Sequence, residues 1–173
     1  DELNLHHELA DAATQAGMRW LEDRNGGNDS VMGSALSKNL TVHLGAQGWL
    51  DVGGFRVDMA PGTRIENAFG GDGADVLVGL RDGKSILLGN DGSDVLIAYG
   101  QGSELEGGHA DDWLWLGDNS TGLGGQGDDR FMVFQGEEKF LSTAQIMAQI
   151  LDFDVRSDHL FSYDAAGQFT LAQ

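Results

Sequence analysis

"GGDGADVLVG", residues 70–79, sets the problem. A flexible, acidic loop runs straight into Val76, Leu77 and Val78, a short apolar strand. Nothing local holds such a loop in one shape. The same pattern returns as "GNDGSDVLI" at 89–97, "GGHADDWLW" at 107–115 and "GGQGDDRFM" at 124–132. The four starts are 19, 18 and 17 residues apart. Weaker units lie between them: "GLRDGKSILL" (79–88), "AYGQGSELE" (98–106) and "LGDNSTGL" (116–123). The unit is therefore a nonapeptide, in alternating strong and weak copies.

The middle strand position is apolar in every copy: Leu77, Ile86, Leu96, Leu105, Leu114, Leu123 and Phe131. Strand side chains alternate faces, so one phase predicts one buried ladder. Loop, strand, loop, strand then completes a turn in about 18 residues. The expected fold is all-β: a right-handed parallel β-roll, a two-sheet β-helix, with strong loops along one edge and weak loops along the other. Asp75, Asp94, Asp112 and Asp129 then stack at one strand spacing, about 4.8 Å. Carboxylates that close repel unless a cation lies between them. Glycines free backbone carbonyls to turn inward. An oxygen cage of this kind suits Ca²⁺, which takes six to eight oxygens at roughly 2.3–2.6 Å, better than the stricter Mg²⁺. Neither cysteine nor paired histidine is offered within it for a softer metal.

Composition agrees. The chain has 173 residues, enough for one domain with a core, and 27 glycines against a single proline. The charge of 10 − 28 = −18 argues against nucleic acid or anionic membrane as partner and toward a cation. With no cysteine there is no disulfide framework. No run is apolar enough to span a membrane as a helix. The first residues, "DELNLHHELADAATQAG", have neither a basic nor an apolar region of the kind a Sec signal needs.

Outside the repeats, residues 1–23 read as an N-terminal helix, with Leu5, Leu9, Ala12, Ala13, Ala16 and Trp20 at helical spacing. Residues 24–61 read as a turn and lead-in strands, and 62–133 as the repeat array. Residues 134–173 read as a C-terminal cap, with a second helix over 142–151 (Ser142 and Gln145 spaced as a capping box) and a closing strand or hairpin. All belong to one domain.

The repeats resemble the repeats-in-toxin, or haemolysin-type calcium-binding, family, whose nonapeptide is G-G-x-G-x-D-x-U-x with U apolar. "GGNDSV" (26–31), "IENAFGGDGADVLVG" (65–79) and, more loosely, "ILDFDVRSDHLFS" (150–162) look like the C-terminal domain of serralysin-type metalloproteases. The resemblance implies ligand sets of carbonyls and carboxylates. One ion would touch Gly71, Gly73, Asp75, Gly89, Asp91 and Asp94. A second would touch Asn90, Gly92, Asp94, Gly107, His109 and Asp112. A third would touch Gly108, Ala110, Asp112, Gly124, Gln126 and Asp129. An earlier site would use Gly27, Asp29, the Arg64 carbonyl and Glu66. Three to five ions are thereby implied. The weak loops carry Lys84, Ser103 and Thr121 where aspartate belongs, so that edge is expected to bind none.

The resemblance also implies an extracellular protein exported unfolded by type I secretion, which folds when calcium fills its loops, beside an attached or upstream catalytic domain. The chain itself offers no protease site: "HELAD" (7–11) has Asp11 where a zinc HExxH needs its second histidine. His6 and His7 read as exposed helix residues, and His43 and His159 stand alone. The alternative is an accessory or carbohydrate-binding module of an extracellular enzyme (protease, lipase or alginate epimerase) or adhesin. It would work through Trp113 and Trp115, which flank Leu114 and so point away from the core.

Overall fold

The computed structural model describes residues 2–4, 20–23, 26–134, 148–163 and 169–171. Within them the protein is all-β, without a helix. No helix there is long and apolar enough to cross a membrane. From β7 (Asn67–Phe69) as far as residue 163 the described strands fall in two sheets in strict alternation. One sheet takes β7, β9 (Ile86–Asp91), β11 (Glu104–His109), β13 (Ser120–Gln126) and β15 (Ala148–Ile150). The other takes β8 (Val76–Val78), β10 (Val95–Ile97), β12 (Trp113–Leu116), β14 (Arg130–Phe134) and β16 (His159–Tyr163). Neighbours within each series pair in parallel. Each nonapeptide thus supplies one loop and one strand, and the glycine loops are the crossings between sheets.

The second sheet buries the expected Leu77, Leu96, Leu114 and Phe131 in register, and Val42 extends the row; each is fully buried. The first buries Val31, Ala68, Leu87 and Leu105 against it. Burying one leucine contributes about 2 kcal/mol, so the rows supply much of the driving force. Two ladder positions in the first sheet need correction. Ile86 pairs with Glu104 and Leu123 with Glu106, on the outward face and only half-buried; Leu87 and Gly122 face inward instead. The side chain missing at Gly122 is replaced from across the core. A Cβ there would meet Leu116 at 3.0 Å and Phe131 at 3.5 Å. The outward pair on that unit is therefore Ile86 and Leu88, while Ser85 and Leu87 are both buried.

Both predicted helices need correction at their ends. Glu2–Asn4 forms β1, parallel to β3 (Ser30–Met32), and Trp20–Leu21 forms β2. Ala148–Ile150 forms β15, in register with Ser120–Gly122. In these places a free sheet edge offers backbone partners to every residue, which outweighs a helical apolar pattern. The middles of both predicted helices, including Ser142 and Gln145, lie outside the described residues.

The lead-in strands form an antiparallel meander, β4 (Leu40–His43), β5 (Trp49–Val52) and β6 (Phe55–Met59), joined to the repeats by parallel β4–β8 pairing. At the other end β17 (Phe169–Leu171) folds back antiparallel on β16, the predicted closing hairpin.

Candidate metal centre

The four aspartates each stand immediately before a strand of the second sheet, and parallel register stacks them. All four are buried. Each carboxylate accepts a hydrogen bond from the backbone of the preceding rung. Leu40 N–H donates to Asp75 Oδ1 at 2.7 Å, Asp75 N–H to Asp94 Oδ1 at 2.7 Å, Asp94 N–H to Asp112 Oδ1 at 2.8 Å, and Asp112 N–H to Asp129 Oδ1 at 2.9 Å. One oxygen of every side chain is thus used to fix the preceding turn.

The second oxygens differ. Asp75 Oδ2 accepts from Gly71 N–H at 2.8 Å. Asp94 Oδ2 and Asp112 Oδ2 are buried and have no hydrogen-bond partner. A buried carboxylate oxygen left this way costs free energy unless something compensates it. Burial accordingly pushes the Asp94 carboxyl up to about 8; the Asp75 amide opposes this, and the charges of Asp112, Asp75 and Asp91 add to it. Burial pushes Asp112 up to about 7, opposed by the Asp94 amide and aided by Asp129 and Asp111. Asp75 and Asp129 are raised as well, again chiefly by burial. Among the described residues none of the four has an ion-pair partner.

The glycines belong to the same device. A Cβ at Gly89 would collide with Asp94 Oδ2 and with the Gly107 carbonyl, and one at Gly107 would collide with Asp112 Oδ2. Gly70 and Gly124 stand in the same relation to Asp75 and Asp129. Other loop positions take the left-handed conformation: Asn90, Gly92, Gly108, Ala110, Gly125 and Gly127. Ala110, at φ 77°, does so without the freedom of glycine, and Asn90 adds a side-chain bond to the Gly70 carbonyl at 2.9 Å.

The remaining site residues fall as follows. Gly71 and Gly73 are buried, and the Gly71 carbonyl already accepts from Asp91 N–H at 3.0 Å. The His109 and Asp91 side chains lie outside the ladder, exposed, with Nδ1 2.6 Å from Oδ1. Gln126 is exposed. At the earlier site Asp29 and Glu66 do come together: Asp29 N–H donates to Glu66 Oε2 at 2.9 Å. The Arg64 side chain lies against this pair, with Nε 3.0 Å from Glu66 Oε1. Gly27 flanks Asp29.

Two aspartates absent from that set extend the ladder. Asp129 N–H donates to Asp158 Oδ1 at 3.2 Å, and Asp158 precedes β16 as the others precede their strands. Asp152 accepts from Gly124 and Gly125 N–H at 3.0 and 2.8 Å. The D-x-U-x ending of the repeat is present in Asp158-His159-Leu160-Phe161; the missing glycines conceal it.

The opposite edge is a second ladder, and its register corrects the first reading. Ser85, Ser103 and Ser120 occupy the aspartate-equivalent positions; Lys84 and Thr121 are each one residue off. All three serines are buried. Ser85 N–H donates to Ser103 Oγ and Ser103 N–H to Ser120 Oγ, both at 3.1 Å. Ser103 Oγ in turn donates to the Gly100 carbonyl at 3.1 Å.

No group of three or more His, Cys, Asp or Glu side chains converges as a metal cluster among the described residues. The aspartate edge instead offers pairs of carboxylates one rung apart amid loop carbonyls. That donor set is all oxygen and negative, and it contains two buried oxygens lacking a partner. By donor chemistry it fits a hard, oxygen-seeking cation.

Comparison with known proteins places this arrangement. The profile of a family described as Peptidase M10 serralysin C terminal matches residues 19–163. A 56-residue stretch is 45% identical to the metalloprotease AprA of Pseudomonas entomophila, 43% to serralysin of Photorhabdus laumondii and 46% to serralysin G of Dickeya chrysanthemi. That stretch is 31% of this chain and 12% of each relative's length.

Proposed function

Because the chain belongs to the serralysin C-terminal family, we propose that it is a calcium-binding module whose folding is driven by the ion. The two sheets then form a right-handed parallel β-roll, the hand that parallel crossovers overwhelmingly take. The observation that carries the reading is the pair of buried, unpartnered oxygens of Asp94 and Asp112 on a four-rung carboxylate ladder. Asp75, Asp94, Asp112 and Asp129 supply side-chain oxygens, and the loops at 70–75, 89–94, 107–112 and 124–129 supply carbonyls. Asp29 and Glu66 form a separate candidate site, so the count is about three to five ions. When bound, calcium supplies positive charge and oxygen coordination to groups that otherwise oppose folding.

A chain with charge −18 and this ladder is expected to stay loose at the low calcium of a cytosol. At extracellular calcium, ion binding becomes folding free energy. This suits an extracellular protein that leaves the cell unfolded by type I secretion. The family is described as that of a peptidase and AprA is named as a metalloprotease, so the proposed context is a non-catalytic module attached to a protease domain that is itself no part of the repeat array. A second reading draws on Trp113, which is 40% exposed on the outer face. Arg130 lies 5.3 Å above its ring, and a sugar would stack on the remaining face.

Far-ultraviolet circular dichroism tests the main reading. Added Ca²⁺ should convert a largely disordered spectrum in EGTA to a β spectrum, and Mg²⁺ at equal concentration should do much less. Identical spectra with and without calcium would sink ion-driven folding. Loss of glycan-array binding on Trp113→Ala, with calcium folding intact, would support the second reading.

A further inference from the structure

Resting on the calcium reading, we propose that the three gaps of the aspartate edge are unequal, and that the middle one, between loops 89–94 and 107–112, holds its calcium most tightly. Its two bounding carboxylates, Asp94 and Asp112, are both fully buried, and both keep an oxygen without a hydrogen-bond partner. Each outer gap is bounded by only one such group.

The first end of the ladder is satisfied by the protein itself. At the first gap, Asp75 has both oxygens engaged, by Leu40 N–H and Gly71 N–H. An ion there gains less from Asp75, because coordination competes with amides already in place. At the third gap, the loop beyond is held from outside. Gly124 and Gly125 donate to Asp152, and Asp129 N–H donates to Asp158. One of that gap's expected carbonyls belongs to Ala110, held at φ 77°, where an alanine is strained. The corresponding residues of the middle gap are Asn90, of a type that tolerates the left-handed region, and Gly92. The middle gap therefore has the most buried carboxylate oxygen without a partner, and its donors are less strained than those of the third gap.

Crystals grown in millimolar calcium and washed with graded EGTA provide a direct test, read from anomalous difference peaks at each gap. The middle peak should remain when the outer two have fallen below half height. An outer peak that persists longest, or simultaneous loss of all three, overturns the ranking. If the unwashed crystals show no peak at any gap, the calcium reading itself fails and the ranking with it. In solution, competition against a chromophoric chelator should show the tightest binding step weakened about tenfold or more in D94N and D112N and retained in D75N. Loss of that step in D75N alone would also overturn the proposal.

Discussion

Asp94 and Ser103 sit on opposite edges of the molecule and make the same backbone hydrogen bond. Asp94 N–H donates to the side chain of Asp112, and Ser103 N–H donates to that of Ser120. Both residues are buried and both precede a strand. The difference lies in what remains after that bond is made. A serine hydroxyl accepts from one neighbour and donates to another, as Ser103 does to the Gly100 carbonyl. An ionised carboxylate only accepts, and it has a second oxygen to satisfy. One backbone geometry thus yields a neutral, self-contained edge on one side and an edge that needs a cation on the other.

The comparison breaks most easily at Ser103. Ser103→Asp places an unpaired buried carboxylate on the neutral edge and should cost about 3–5 kcal/mol in calcium-loaded protein, measured by chemical denaturation. A variant of unchanged stability, or one that binds an extra calcium, would show that the edges are interchangeable.

Acid gives the next largest effect. In metal-free protein the ladder carboxyls titrate above their ordinary range, reaching about 8 for Asp94 and about 7 for Asp112. A carboxyl whose folded pKa is raised favours the folded state fully below its unfolded pKa, and that contribution is lost as pH rises through the folded value. In EGTA, the folded fraction by circular dichroism should therefore grow as pH falls from about 8 toward about 4. With calcium present, acid should weaken binding instead, because protons compete for the same oxygens. Asp94→Ser, which turns one rung into the neutral kind, should flatten the metal-free pH profile.

A smaller effect separates rungs within the charged edge. Asp94 borders two gaps and Asp129 one repeat neighbour, and neighbouring turns are coupled through the shared core. Asp94→Ala should raise the calcium midpoint of folding about tenfold more than Asp129→Ala, roughly 1.4 kcal/mol. Equal midpoints would rule out shared ligands. Smallest is Ala110→Gly, which relieves the left-handed backbone and should stabilise the loaded protein by about 1 kcal/mol in the same denaturation assay.

The two edges were also unequally legible in the sequence. On the charged edge, glycine and aspartate fix the phase of every loop, and Leu77, Leu96, Leu114 and Phe131 all face the core as the repeat requires. On the neutral edge, serine is too common to mark a register. Ile86-Leu87-Leu88 and Gly122-Leu123 each permit a one-residue slip, and such a slip turns every side chain to the other face. A glycine filled by Leu116 from across the core leaves no local trace at all. Asp152 and Asp158 were hidden for the related reason that their turn lacks glycine. The predicted helices failed at Glu2–Asn4, Trp20–Leu21 and Ala148–Ile150, because edge pairing is decided by distant strands rather than by local period.

Parallel repeats stacked rung on rung have no intrinsic length: each turn presents the next with the surface it needs, as a growing fibre does. The second sheet interrupts that parallel stacking toward both ends. The meander of β4, β5 and β6, antiparallel within itself, lies toward one end, and β17, antiparallel to β16, closes the other. The outermost described strands are brief, two residues at β2 and three at β1, β15 and β17. Brief or reversed edges make poor templates for another chain. The described edges therefore offer a further copy of the repeat little to grow on.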